Sequence, residues 1–113
     1  MIVRVTAYLR SHRLEDAKTA VSNVGVNGLT VTDVRGSGSS PERASTLAGQ
    51  DILIALPLRS KLEVVVPEEL TEPVIEAILG SIRTDEPGDG KVFVEPVTEV
   101  VRIRTGERGL DAV

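Results

Sequence analysis

Cysteine is missing from this chain of 113 residues, and aromatic side chains are scarce, with one tyrosine, one phenylalanine and no tryptophan. The lack of thiols excludes disulfides, thiol catalysis and cysteine-based metal sites. The chain also lacks the aromatic platforms on which single-stranded nucleic acids stack. A formal net charge of −4 argues against a general attraction to nucleic acid, so we expect no such partner.

Long apolar runs are also missing, since every apolar run in the sequence is shorter than a membrane span requires. The sequence begins with a strand pattern and lacks a signal-peptide layout, so our default expectation is a cytoplasmic protein. The length is typical of one domain, and we expect a single domain over residues 1–113. Its core must be aliphatic, and we expect oligomerisation to help stabilise so small a domain.

The spacing of apolar residues predicts six elements of secondary structure. They are strands over residues 2–9, 29–35, 60–66 and 92–94, and helices over residues 14–24 and about 68–82. Gly25 ends the first helix. Pro73 leaves two possibilities for the second, an irregular first turn or a start near Thr71. The order predicts an α+β, ferredoxin-like βαββαβ fold, an antiparallel sheet with two helices on one face.

A segment rich in small and polar residues separates the second strand from the third. It opens with Gly36-Ser37-Gly38-Ser39-Ser40-Pro41, which predicts a long loop. Its far end, residues 52–57, is apolar without polar alternation. Two interpretations of this run stay open: the base of the next strand, or an apolar tip that binds a partner.

Residues 84–91, Thr-Asp-Glu-Pro-Gly-Asp-Gly-Lys, form a glycine-rich loop before the last strand. Glycines let backbone N–H groups approach an anion, and Lys91 adds a flexible positive charge. Arg102 and Arg104 alternate further along, and we predict that they share one face of an extended strand. The set is typical of a polyphosphate site. The alternative is an ordinary turn beside a solvated strand.

Residues 84–94 and 101–109 resemble the signature segments of the PII signal-transduction family, and Arg-Ile-Arg-Thr-Gly-Glu-Arg-Gly is the more specific segment. The resemblance covers nearly the whole chain. It implies a homotrimer that binds ATP, ADP or AMP in clefts between subunits and regulates a membrane transporter or metabolic enzyme. It also implies a mobile T-loop at about residues 37–57, a phosphate-binding B-loop at about 84–91 and a C-terminal loop at about 102–113.

The family's functional positions can be carried over residue by residue. The nucleotide-binding residues that the resemblance implies are Thr30, Gly36, Gly38, Glu63, Gly88, Asp89, Gly90, Lys91, Arg102 and Arg104. Thr30 and Glu63 match positions near the adenine, and the two arginines match the pair that reaches the phosphates from a neighbouring subunit. The implied partner-binding residues of the T-loop are Ser39, Ser40, Gly49, Asp51 and Ile52.

Several positions depart from the family pattern. Ser39 and Ser40 stand where sensors of 2-oxoglutarate carry a Mg²⁺-holding glutamine, so Mg²⁺ is possible but its usual ligand is absent. Arg59 or Leu58 stands where the lysine that binds the keto acid is expected, and no tyrosine matches the nucleotidylation site. Asp85 replaces a glycine, and Pro87 stiffens the B-loop.

These departures favour a divergent member that responds to ADP or AMP and to a small anion other than 2-oxoglutarate, such as bicarbonate. The alternative is a nitrogen-regulatory member that senses ATP, ADP and 2-oxoglutarate. No catalytic set can be assembled, since only Asp89 or Glu63 could act as a base near the phosphates. We expect no enzyme and no metal site, with His12 on the surface, and weak ATP hydrolysis is the alternative from another class.

Overall fold

A computed structural model describes residues 1–36 and 56–113. The strands are β1 (Ile2–Arg10), β2 (Thr30–Arg35), β3 (Leu58–Pro67) and β4 (Gly90–Val97), and the helices are α1 (Leu14–Ser22) and α2 (Thr71–Ile82). Short 3₁₀ turns cover Ser11–Arg13, Glu68–Leu70 and Gly109–Ala112. None of the helices in the described ranges is long and apolar enough to cross a membrane.

The four strands form one antiparallel sheet in the order β2-β3-β1-β4. β1, one of the two inner strands, pairs with both β3 and β4, so that Val5 lies opposite Val64 on one side and Val94 on the other. This order and the position of the two helices are those of the ferredoxin-like α+β fold, which confirms the prediction made from the sequence.

The core lies between the helices and one face of the sheet. Alternate residues of β1 and β3 point into it, because successive side chains of a strand point to opposite faces. The buried cluster consists of Val3, Val5, Ala7, Leu9, Ala17, Val21, Leu62, Val64, Val66, Val74, Ile78 and Ile82. The other face, which we call the open face, carries Tyr8, Lys61 and Phe93, and no helix of the described residues covers it.

The start of α2 shows how the chain accommodates Pro73. A 3₁₀ turn over Glu68–Leu70 comes first, and the α-helix begins at Thr71. Pro73 then lies in the first turn, where a backbone N–H has no acceptor within the helix, so its missing donor costs little. This confirms the second of the two possibilities. α1 ends at Ser22, two residues before the predicted end, and a turn over residues 23–25 follows it. Gly25, with a φ of +99°, closes that turn.

Two local predictions are wrong. First, β4 begins at Gly90, so Gly90 and Lys91 pair with β1 and the connecting loop covers only residues 84–89. Second, Arg102 and Arg104 do not lie on a strand. Residues 101–108 form a tight hairpin closed by a bridge between Val101 and Arg108. Within it, the Gly106 N–H donates to the Arg102 carbonyl oxygen over 2.7 Å.

The segment between β2 and β3 is described only at its two ends. The Gly36 N–H donates to the Pro57 carbonyl oxygen over 3.2 Å and so closes the base of this segment. Of the apolar run at residues 52–57, Leu56 and Pro57 precede β3 without joining it. The other predictions for this segment lie outside the described residues; they concern Gly38, Ser39, Ser40, Gly49, Asp51 and Ile52.

Candidate functional site

The 84–89 loop lies at one end of the sheet, where β1 ends and β4 begins. Gly90 stands opposite Leu9, and Lys91 stands opposite Tyr8. On its other side Tyr8 stands opposite Lys61, so a lysine flanks Tyr8 on each neighbouring strand. The Lys61 ammonium lies 5.9 Å from the centre of the Tyr8 ring. The described structure thus brings the glycine loop beside two lysines on the open face.

Asp89 organises the interior of the 84–89 loop. Its Oδ2 accepts the Thr84 N–H over 2.8 Å and the Asp85 N–H over 3.0 Å, and its Oδ1 accepts the Thr84 hydroxyl. These hydrogen bonds, the one from the Thr84 hydroxyl first, hold the pKa of Asp89 below the ordinary aspartate value. The carboxylate therefore closes the loop on itself.

Arg10, at the end of β1, ties this loop to the sheet. Its Nη2 donates to the Pro87 carbonyl oxygen over 2.6 Å, and its Nη1 donates to Asp89 Oδ1 over 3.2 Å. Sequence reasoning missed Arg10, because it lies 79 positions before Asp89 and outside both signature segments. No local pattern signals such a contact.

Two cations of the candidate site are free to meet an anion. Lys91 and Arg104 are exposed, and within residues 1–36 and 56–113 neither makes an ion pair. Arg102 is instead paired, since its Nη1 lies 2.7 Å from Glu107 Oε1. The Thr105 hydroxyl also donates to Glu107 Oε1, over 2.8 Å. Glu107 thus pairs with Arg102 and leaves Arg104 exposed.

Thr30 and Glu63, the two positions predicted to lie near an adenine, stand directly opposite each other on β2 and β3. The Glu63 carboxylate lies 3.6 Å from Arg4 Nε and 3.5 Å from Lys61 Nζ. Gly36 follows the end of β2, at the same end of the sheet as the 84–89 loop. The structure therefore places Glu63 in a charged row on the open face.

The 84–89 loop and the hairpin of residues 101–108 adjoin opposite ends of β4. The loop precedes β4, whereas Arg102 and Arg104 come after its other end. The eight residues of β4 extend over roughly 25 Å at the usual rise of a strand. No hydrogen bond or ion pair of the described residues joins the 84–89 loop to residues 101–108.

The described residues hold no group of three or more histidine, cysteine, aspartate or glutamate side chains that could bind a metal ion. His12 is exposed in the 3₁₀ turn Ser11–Arg13, which confirms its prediction as a surface residue.

Comparison with known proteins assigns the architecture to a class of regulators. The model of the family described as "Nitrogen regulatory protein P-II" matches residues 2–107. Nitrogen regulatory protein P-II 1 of Methanothermobacter thermautotrophicus is 44% identical over 110 residues, covering 97% of this chain and 96% of that relative.

Solved structures agree with this assignment. The structure of Arabidopsis thaliana PII bound to citrate matches with a TM-score of 0.81 and 38% identity, covering 99% of this chain and 92% of that one. Bacillus subtilis GlnK matches with a TM-score of 0.80 and 32% identity, over 99% and 98% of the two chains. The chain belongs to the PII family of nitrogen regulatory proteins, whose members are regulators and not enzymes.

Proposed function

We propose that this chain forms a homotrimeric regulator that binds an adenine nucleotide in clefts between subunits and controls a partner protein through residues 37–57. The observation that carries the proposal is that the 84–89 loop and the hairpin of residues 101–108 adjoin opposite ends of β4. We infer from this arrangement that one nucleotide meets Lys91 of one copy and Arg104 of another.

The open face of the sheet supports self-association. Phe93 is 49% exposed there and packs edge-on against Tyr8, with ring centres 5.9 Å apart. A second copy that covers this face would remove an exposed aromatic ring from water, which favours association. The cleft between copies would then lie beside Lys61, Glu63 and Lys91 on the open face.

The residues proposed to bind the nucleotide keep their roles with one refinement. Gly88, Gly90 and Lys91 approach the phosphates, Arg102 and Arg104 reach them from the neighbouring copy, and Thr30 and Glu63 lie toward the adenine. Gly36 stands where β2 ends and the T-loop segment begins. Asp89 acts from inside the loop, because its oxygens are already occupied by Thr84, Asp85 and Arg10. Charge-assisted hydrogen bonds from several cations suit a polyphosphate.

Calorimetric titration with ATP, ADP and AMP tests nucleotide binding. Lys91→Ala and Arg104→Ala should each weaken binding by about 1.5–3 kcal/mol, the range for hydrogen bonds to a charged group. Lys18→Ala is the matched control, because it removes one positive charge from the surface of α1, away from the 84–89 loop. If both site variants bind all three nucleotides like the parent, the proposed site is wrong.

Mixed trimers test whether the cleft lies between copies. A Lys91→Ala subunit and an Arg104→Ala subunit each lack one half of every site in their own homotrimer. When the two variants are unfolded together and refolded, about a quarter of the sites should combine an intact lysine with an intact arginine from different subunits. Recovery of that fraction of tight sites supports the proposal. No recovery at all would place both residues in one subunit's site.

The second effector is also part of the proposal. We propose that 2-oxoglutarate does not act on this protein as it does on sensors with a Mg²⁺-holding glutamine, since Ser39 and Ser40 stand in that region. Adding the keto acid should change nucleotide affinity by less than about 1 kcal/mol, below the usual range of allosteric coupling. A tenfold tightening would instead favour the nitrogen-sensing alternative, and parallel titrations with bicarbonate test the other anion.

A further inference from the structure

Arg10 combines two contacts that restrain different parts of the 84–89 loop. One guanidinium nitrogen holds the backbone of the loop at Pro87, and another holds the carboxylate of Asp89. The side chains of Arg10 and Asp89 are only 21% and 22% exposed. A planar guanidinium fixes two acceptors in one geometry, which a lysine ammonium cannot do. Arg10 therefore restrains the loop more tightly than a surface ion pair would.

Asp89 connects Arg10 to the start of the loop. The same carboxylate that accepts from Arg10 also accepts the N–H groups of Thr84 and Asp85 at the loop's start. Directly after Asp89, Gly90 enters β4 against the backbone of Tyr8. The end of β1 thus sets the position of both ends of the loop and of Lys91, the second residue after Asp89.

We propose that Arg10 is a positioning residue of the nucleotide site: it holds the 84–89 loop in its binding conformation before the nucleotide arrives and makes no contact with the phosphates itself. The inference rests on the proposed function, because it assumes that this loop binds a phosphate. Its physical basis is preorganisation, since a loop that is ordered in advance loses less conformational entropy on binding.

Two measurements on the full-length protein test the inference. The first is amide hydrogen exchange without nucleotide. Arg10→Ala should speed exchange at Thr84 and Asp85 by about tenfold or more, because it removes both charge-assisted hydrogen bonds from Arg10 to the loop. Exchange at Val5 and Val64 in the core should not change. The second is the affinity for ADP, which should fall about tenfold in the same variant.

Two further variants separate positioning from general stability and from charge. Arg13→Ala removes a neighbouring arginine whose Nη2 donates to the Ser81 carbonyl oxygen over 2.7 Å, a contact with the end of α2 and not with the loop. It should leave both loop exchange and ADP affinity unchanged. Arg10→Lys keeps the positive charge but loses the planar guanidinium that holds two acceptors at once. It should therefore recover less than half of the binding free energy that Arg10→Ala loses.

The outcomes are distinguishable. The positioning role is supported if Arg10→Ala shows both faster loop exchange and weaker ADP binding while Arg13→Ala changes neither. Unchanged exchange with weaker binding overturns it, because Arg10 would then contact the nucleotide directly. Faster exchange with unchanged binding overturns it too, because loop order would not matter for the nucleotide. A parent protein that binds no adenine nucleotide overturns the proposed function, a separate failure visible before any variant is compared.

Discussion

Gly90 lies so close to Tyr8 that a Cβ atom on Gly90 would stand 1.8 Å from the Tyr8 carbonyl oxygen. Gly90 also has a φ of +113°, a conformation that side chains with a Cβ rarely adopt. Both facts apply at the point where the 84–89 loop becomes β4. A glycine at this position is therefore required by packing and by backbone geometry at once.

Gly90→Ala should destabilise the protein by about 3 kcal/mol, because backbone atoms of β1 cannot move away without disturbing the sheet. Urea denaturation measures the change in the free energy of unfolding. Gly80→Ala is the control. Gly80 is exposed in α2 with nothing within 4 Å of an added Cβ, so alanine there should stabilise the helix by up to about 1 kcal/mol. Equal effects of the two changes would contradict the close approach.

Asp85 has a φ of +67°, although it is not a glycine. Its carboxylate lies 2.9 Å from Arg83 Nε, but both side chains are largely exposed, so the ion pair adds little stability. Asp85→Gly should leave the free energy of unfolding nearly unchanged, whereas Asp85→Val should lower it by about 1–2 kcal/mol. Urea denaturation of both variants checks this, and a harmless valine would show that the position is not left-handed.

The low pKa of Asp89 predicts how loop order depends on pH. Hydrogen bonds from Thr84 favour the ionised carboxylate of Asp89 and lower its pKa. The loop is therefore ordered at every pH above the ordinary pKa of an aspartate. Its order should be lost only as the pH falls through the lowered pKa. The amide chemical shift of Thr84, followed by NMR during acidification, reports this transition. Asp89→Asn should abolish it, and a transition midpoint at or above the ordinary aspartate value would contradict the prediction.

The open face predicts where assembly can be broken. Phe93→Asp should convert the proposed trimer to monomers, because a carboxylate would be buried without a partner between copies. Light scattering at micromolar concentration measures the change in mass. Leu79→Asp is the control, since Leu79 is similarly exposed, at 43%, but belongs to α2 on the other side of the sheet. A parent protein that is already a monomer would contradict both assembly and the cleft between copies.

The spacing of apolar residues predicted the strands and helices that bury one side in the core. The alternation in β1 and the apolar stripe of α2 predicted the fold class. Each of these elements has one apolar side that must be buried against another layer, and the order βαββαβ allows one compact way to do so. The signature segments around Lys91 and Arg102 were enough to predict the family. Even the start of α2 at Thr71 was among the predicted possibilities, since Pro73 tolerates only the first turn.

Contacts between distant residues were decided by the tertiary structure alone. The alternation of Val101 to Arg104 resembles a strand, but Gly106 and Glu107 close the segment into a hairpin. Arg10 meets Asp89 across 79 positions of sequence because β1 and β4 pair in a register that no local pattern encodes. Local patterns record which side of an element is buried. Which residues meet at the ends of the strands depends on how the whole sheet is assembled.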